Sequence, residues 1–265
     1  MNKFILIHLF FCFSSYIPVF QVFEKKVETK IKSESEVPEN VLKLMKYYSI
    51  ISAYKNNYIY FSDGSKLIYD DHKTKNVTEL INSPDIEDMF IYEYNRWSGN
   101  KIPQYFDPGR IRNEEFFKKV YGSNKKNVQE KLISVNWCPK LCAQKIQITT
   151  INKINKKIDS ISMEIDRHPE FSKYIQNIGG TFNWRNIQGT KRLSMHSFGM
   201  TIDLNVKYSN YWQWEAKTTN ETVKLKYANK IPLELVKIFE KHGFIWGGNW
   251  YHYDTMHFEY RPELL

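Results

Sequence analysis

Cysteine is scarce in this chain, with three among 265 residues. So few exclude a disulfide-dense scaffold and a structural metal site built from thiolates alone. Cys138 and Cys142 form a C-x3-C pair in Trp-Cys-Pro-Lys-Leu-Cys, but no Cys or His cluster nearby offers two further ligands. A local disulfide is therefore expected ahead of free thiols. Internal repeats and long low-complexity segments are also missing, and charged residues make up an ordinary 25 %. Hydrophobic residues reach 42 % and aromatics 16 %, which is the composition of a globular chain and not of a disordered one. Acidic residues are outnumbered, giving a net charge of +9. That balance favours polyanionic surroundings. The densest basic runs, Lys125-Lys126 and Lys153 to Lys157, lack interleaved aromatics. Nucleic acid is accordingly not expected as a partner.

Charge is absent altogether from Phe4 to Phe23, a Phe-, Leu- and Ile-rich stretch behind the basic Met1-Asn2-Lys3. This has the form of a secretory signal peptide. Its length also approaches the roughly 20 residues of a membrane helix. Pro18 lies inside it, and no Ala-x-Ala site follows. Cleaved signal and retained anchor both stay open; a retained segment would tether the chain to a membrane through residues 4–23. Phe11 is too large for the position before a lipidated Cys12. Either reading expects the remainder to be exported, to the periplasm or cell envelope.

Residues 24–36 read as a charged linker, 37–140 as an N-terminal accessory region, and 141–265 as the part that holds the chemistry. Val41 to Ile51 has helical periodicity. Tyr58 to Phe61 and Lys66 to Tyr69 flank Ser62-Asp63-Gly64-Ser65, a hairpin signal. Asn113 to Tyr121 reads as a helix stopped by Gly122. Ile146 to Thr150 alternates like a strand. Ile151, Ile154, Ile158, Ile161 and Ile165 then recur at steps of 3 and 4, the buried stripe of a helix. Thr181 to Trp184, Thr201 to Val206 and Asp254 to Tyr260 read as strands. Pro232 suits the first turn of a helix running to His242, with Gly243 as its stop. The expected class is α+β: a small antiparallel sheet with flanking helices, plus an N-terminal α/β extension.

The chemistry concentrates in Leu193-Ser-Met-His-Ser-Phe-Gly-Met-Thr-Ile-Asp203, in Gly247-Gly-Asn-Trp250 and in Asp254-Thr-Met-His-Phe-Glu259. Two imidazoles and a carboxylate, His196, Asp203 and His257, suit zinc, and three protein ligands leave a fourth position for water. Gly199 allows a tight turn between His196 and the strand bearing Asp203. An antiparallel pairing of that strand with the one bearing His257 would bring the three side chains together. Asp254, three residues before His257, would sit on the wrong face of a regular strand; a turn or bulge at Thr255-Met256 would bring its carboxylate to the metal side as a general base. Iron oxygenases use the same ligand types, but with His-x-Asp spacing. No Gly-x-Ser-x-Gly surrounds Ser194, so it is not expected to be a nucleophile.

Ser-x-His-x-x-Gly-x-x-x-Asp, then Trp-Gly-Gly-x-Trp, then Asp-x-x-His-Phe-Glu resembles the zinc D-alanyl-D-alanine carboxypeptidase family, which includes L-alanyl-D-glutamate endopeptidases of wall enzymes and phage lysins. The resemblance covers roughly residues 179–262. Asp107-Pro-Gly-Arg-Ile-Arg112 resembles only a longer bacterial branch. It implies the hedgehog/DD-peptidase-like zinc peptidase fold and one Zn2+ per chain on His196, Asp203 and His257. It further implies that Asp254 is the acid/base and Arg185 the arginine that steadies the substrate carbonyl and oxyanion. The substrate it implies is peptidoglycan or its muropeptides. Ser194, Trp250 and His252 are the expected substrate-side residues, and Glu259 is expected to orient a ligand or to lie on the surface. The alternative function is a non-catalytic, zinc-containing wall-binding module. Oligomeric state stays open.

Overall fold

Alternation, helical stripes and turn residues place most elements where local physics favours them. The computed structural model describes residues 37–94, 96 and 102–265. The expected signal or anchor, Cys12 and the linker to residue 36 lie outside the described residues. Val37 to Leu265 form one compact unit. In chain order its first helices and strands are α1 (Glu39–Tyr47), β1 (Ile51–Lys55), β2 (Tyr58–Phe61), β3 (Lys66–Ile68), α2 (Val77–Asn82), α3 (Glu114–Tyr121), α4 (Lys125–Gln129), β4 (Leu132–Trp137) and β5 (Gln144–Thr149). There follow α5 (Ile154–Ile165), α6 (Ser172–Ile175), β6 (Ile178–Gly180), β7 (Thr201–Asn205), α7 (Trp212–Ala216), α8 (Leu233–Lys241), β8 (Phe244–Trp246) and β9 (His257–Tyr260).

Helices and small antiparallel sheets make the fold α+β, as expected. The strands form a three-stranded sheet β1-β2-β3, a β4-β5 pair and a four-stranded sheet ordered β6-β7-β9-β8. The junction expected near residue 140 falls in the turn between the paired strands β4 and β5. Among the described residues no helix is long and apolar enough to cross a membrane.

The β2–β3 hairpin, α3 behind its Asn113 cap, and α8 between Pro232 and Gly243 form as their turn and cap residues dictate. Several boundaries differ from expectation, β9 among them, which starts at His257 and not at Asp254. α1 stops at Tyr47, because Tyr48 leaves helical angles and Ile51 begins β1. Ile151 stays outside α5, because Asn152 and Lys153 take positive φ of 53° and 57°. Thr181 to Trp184 are not a strand. Their backbone is committed to the turn at His196: the Asn183 N–H donates to the His196 carbonyl at 3.1 Å, and the Thr181 carbonyl accepts from the His196 ring at 2.8 Å. The sheet edge there is β6, which ends just before Thr181.

Ile158, Ile161 and Ile165 of α5 are fully buried, as are Leu204 of β7 and Phe258 of β9. Phe258 stacks on Phe239 of α8 with centroids 4.1 Å apart. Each such side chain contributes about 1.5–3 kcal/mol of burial. This apolar layer holds the inner faces of β7 and β9, so their polar residues emerge together on the opposite face. Cys138 and Cys142 are free thiols, against the expected disulfide; the Cys142 thiol lies 3.2 Å from the Trp137 carbonyl and donates to it.

Candidate metal centre

Ser194 opens a short 3-10 turn, Met195–Phe198, by accepting the His196 backbone N–H at 3.4 Å. Gly199 closes it at φ +64°, where an added Cβ would meet Leu132 Cδ2 at 2.5 Å. Only glycine combines that angle with that clearance. The chain then enters β7. Asp203 on β7 pairs directly with His257 on β9 in antiparallel register. Cross-strand neighbours share a face, so the turn and the register bring His196 and His257 to either side of one carboxylate.

The geometry is tight. His196 Nε2 lies 3.1 Å from Asp203 Oδ2, and His257 Nδ1 lies 2.9 Å from Asp203 Oδ1. Around a tetrahedral zinc, ligand atoms each about 2.0–2.1 Å from the ion lie roughly 3.3 Å apart. The opposite ring atoms are anchored. His196 Nδ1 donates to the Thr181 carbonyl at 2.8 Å, and His257 Nε2 meets Glu259 Oε2 at 3.0 Å. A carbonyl can only accept, so the first contact places a proton on His196 Nδ1 and turns its Nε2 toward Asp203. There an imidazole lone pair would face a carboxylate oxygen unless a cation stands between them. His196 Nε2 and Asp254 Oδ1 are indeed buried polar atoms without a hydrogen-bond partner. Carboxylate and carbonyl contacts behind metal-binding histidines are the usual support for such a site. The donor set fits a divalent metal ion, and the three residues form a cluster that could hold one.

Asp254 does not continue β9. The Asp254 carbonyl accepts the His257 N–H at 3.2 Å across a turn at Thr255-Met256, and the Asp254 N–H donates to the Gly247 carbonyl at 2.9 Å. Asp254 and His257 therefore escape the opposite-face relation of a regular strand. Burial, and then the Asp203 charge, raise the Asp254 carboxyl to about 7. For Asp203 burial pulls upward too, but the flanking His196 and His257 hold it far below the usual range. Burial would lower His257, yet the Asp203 and Glu259 carboxylates raise it to about 10. Two neighbouring aspartates are thus pushed apart, the arrangement expected where one carboxylate binds and the other exchanges protons.

The remaining expected residues divide. Trp250 is buried with its ring 5.7 Å from that of His257 and its indole N–H unpartnered. Ser194 bonds backbone only, receiving His196 N–H and donating its own N–H to the Arg185 carbonyl at 3.0 Å. The other two expected residues are engaged as follows. Arg185 is exposed and its guanidinium donates to the adjacent Asn186 carbonyl at 3.3 Å. His252 does not line an open cleft. It is 2 % exposed, with Nδ1 2.6 Å from Asp107 Oδ2 and Nε2 donating to the Glu221 carbonyl at 3.0 Å.

Those contacts show what sequence reasoning missed. The strap Asp107 to Arg112 comes from the N-terminal part yet packs on Trp250, His252 and Glu259. Asp107 receives the His252 N–H at 2.9 Å, Arg110 bridges Asp107 and Glu221, and Arg112 reaches to 3.7 Å from Glu259. A Cβ on Gly109 would sit 2.1 Å from the Trp250 indole, so the strap lies directly on that ring. The available signal was an acid and two arginines packed into six residues around a Pro-Gly turn.

Residues 188–260 match the family described as D-alanyl-D-alanine carboxypeptidase. The matched stretch contains His196, Asp203, Asp254 and His257, and it supports a peptidase of that family, in agreement with the resemblance read from the sequence. No curated protein and no solved structure matches the chain.

Proposed function

We propose that the protein is a zinc-dependent peptidase that hydrolyses a peptide bond in peptidoglycan stem peptides, acting in the cell envelope. The observation that carries this reading is the pair of unpartnered buried atoms, His196 Nε2 and Asp254 Oδ1, in a site where the outer ring nitrogens of both histidines are held by Thr181 and Glu259. His196 Nε2, Asp203 and His257 Nδ1 would hold the ion. Zinc in this place supplies a Lewis acid for the scissile carbonyl and acidifies water. The chain's own part is proton transfer and positioning. Asp254 Oδ1, free of other bonds, takes a proton from the attacking water and returns it to the leaving amine. Its raised carboxyl suits both directions near neutral pH. Trp250 walls the site beside His257, and the strap Asp107 to Arg112 covers that wall. The basic surface and the expected export segment both suit a substrate rich in carboxylates.

Incubation of zinc-loaded protein with muropeptides, followed by mass spectrometry, tests the reading. Loss of one alanine would identify a carboxypeptidase; cleavage after the first stem residue would identify an endopeptidase. Asp254→Ala should lower turnover by roughly 10²–10⁴-fold while zinc content is unchanged. His196→Ala should lose bound zinc by elemental analysis. If wild type releases nothing and Asp254→Ala binds wall equally well, the protein is a wall-binding module instead.

A further inference from the structure

Tyr211 is pinned opposite Asp254. The two residues form an isolated antiparallel bridge, and the backbone on either side holds it. The Thr255 N–H donates to the Asn210 carbonyl at 2.9 Å, and the Trp212 N–H donates to the Tyr253 carbonyl at 3.0 Å. The Trp212 side chain anchors the segment: it is 2 % exposed and meets the His252 ring edge-on at 4.8 Å. Residues that face each other across an antiparallel pair share a side. The Tyr211 phenol therefore lies on the side of the Asp254 carboxyl, and the Asp254 charge acts on it. Asp254 in turn feels the charges of Asp203, His257 and His196.

Tyr211 is half-buried, with the Trp214 ring edge-on to its own at 5.3 Å. The Trp212 indole directs a donor at the phenol oxygen, but the hydroxyl itself donates to none of the described residues. Burial, and then the Asp254 charge, push the phenol up to about 12, so it keeps its proton at neutral pH; Arg110 pulls the other way and polarises the O–H bond. The other donors are committed or enclosed. Arg110 bridges Asp107 and Glu221. Asn210 Nδ2 donates to Glu215 at 2.6 Å. The Arg185 guanidinium is bound to the Asn186 carbonyl. The Trp250 indole N–H has no partner, but its ring packs with Ile245 and Leu264 against Gly109.

We infer that the Tyr211 hydroxyl donates a hydrogen bond to the oxygen of the scissile carbonyl as that oxygen gains charge. This rests on the peptidase reading and adds a catalytic residue to it. A base that deprotonates the attacking water stands within hydrogen-bond reach of that water. The scissile carbonyl therefore comes within one water of Asp254, and so close to the residue bridged with it. The water oxygen bonds to the carbonyl carbon, a water proton passes to Asp254, and the π pair moves onto the carbonyl oxygen. That oxyanion accepts the Tyr211 hydrogen bond. The pair then returns as the C–N bond breaks, and the proton on Asp254 goes to the leaving nitrogen. A donor fixed in place before the charge develops favours the transition state over the bound peptide.

Tyr211→Phe removes the hydroxyl and keeps the ring, so it tests the bond without emptying the site. Calorimetry on the zinc-loaded, full-length protein measures binding of two phosphinates, in which tetrahedral phosphorus replaces the scissile carbonyl of D-alanyl-D-alanine or of L-alanyl-D-glutamate. The substitution should weaken the tighter phosphinate by roughly 10²–10³-fold and lower kcat on the matching muropeptide by a similar factor. KM, zinc content and melting temperature should stay as in wild type. Phosphinate affinity that survives Tyr211→Phe overturns the inference, as does undetectable binding of both phosphinates by wild type. A rise in KM at constant kcat, or a loss of zinc, also overturns it, because the hydroxyl would then serve ground-state binding or the fold. A wild type that releases no product, yet binds a phosphinate through the Tyr211 hydroxyl, would keep the hydrogen bond and lose the peptidase reading.

Discussion

At the scale of single residues, the strongest constraint outside the metal ligands is the buried pair Asp107 and His252. Neither side chain is more than 2 % exposed, and Arg110 joins them. Burial alone would raise the Asp107 carboxyl, but its bond to His252 and the Arg110 charge hold it below the usual carboxylate range. A depressed folded-state pKa means that the ionised group adds stability above its unfolded value of about 4, and that this is lost as pH falls through the lower folded value. Asp107→Asn should therefore destabilise the protein at neutral pH by about 3–5 kcal/mol, the cost of breaking a buried ion pair. It should also flatten the loss of stability as pH falls below about 4. Thermal melts of wild type and variant across that range check both parts. An unchanged acid limb in the variant would show that another carboxylate governs it.

At the scale of elements, the site depends on one turn entering one strand. Gly199 sets where β7 begins, and so which face Asp203 takes. Gly199→Ala would place a Cβ at φ +64° and 2.5 Å from Leu132. The expected cost is about 1–3 kcal/mol, with weaker zinc binding because His196 belongs to the same turn. Denaturant melts and metal competition titrations measure the two effects, and wild-type zinc affinity would show that the turn does not set the ligand. This turn was legible beforehand because its signals are local. Gly199 marks the stop, Met200, Ile202 and Leu204 alternate, and Asp254 sits three residues from His257, an offset that itself called for a turn. The Ile stripe of α5 was readable for the same reason. β6 was not, because Ile178-Gly-Gly180 has weak strand propensity and pairs only when β7 is beside it. The strap was not, because the roles of Asp107 and Arg112 depend on His252 and Glu259, about 145 residues away in sequence. Arg185 lies beside the His196 turn through its backbone, which bonds Ser194 and Ser197, while its guanidinium turns to the Asn186 carbonyl.

At the scale of the molecule, a chain of buried charge runs from the metal ligand to the N-terminal helix. His257 meets Glu259, Glu259 meets Arg261, Arg261 meets Glu263, and Glu263 accepts the Tyr48 hydroxyl at 2.6 Å. None of these five residues is more than 7 % exposed. Such networks add little net stability, since desolvation offsets attraction, but breaking any one link strands a buried charge. The far end, Tyr48, packs edge-on to Phe116 of α3 at 5.2 Å, so the path enters the aromatic core of the N-terminal part. Strands β4 and β5 join the two parts a second time, on either side of residue 140. Residues 37–265 should therefore unfold as one cooperative unit, with zinc stabilising all of it. At a hundredfold excess over Kd, zinc adds about 2.7 kcal/mol, which for a domain of this size raises Tm by roughly 5–10 °C. Scanning calorimetry with and without zinc should show one transition that moves as a whole. Two transitions, with only one moved by zinc, would mean that the N-terminal part folds apart from the metal centre, and that the strap and the charge chain are contacts between independent bodies.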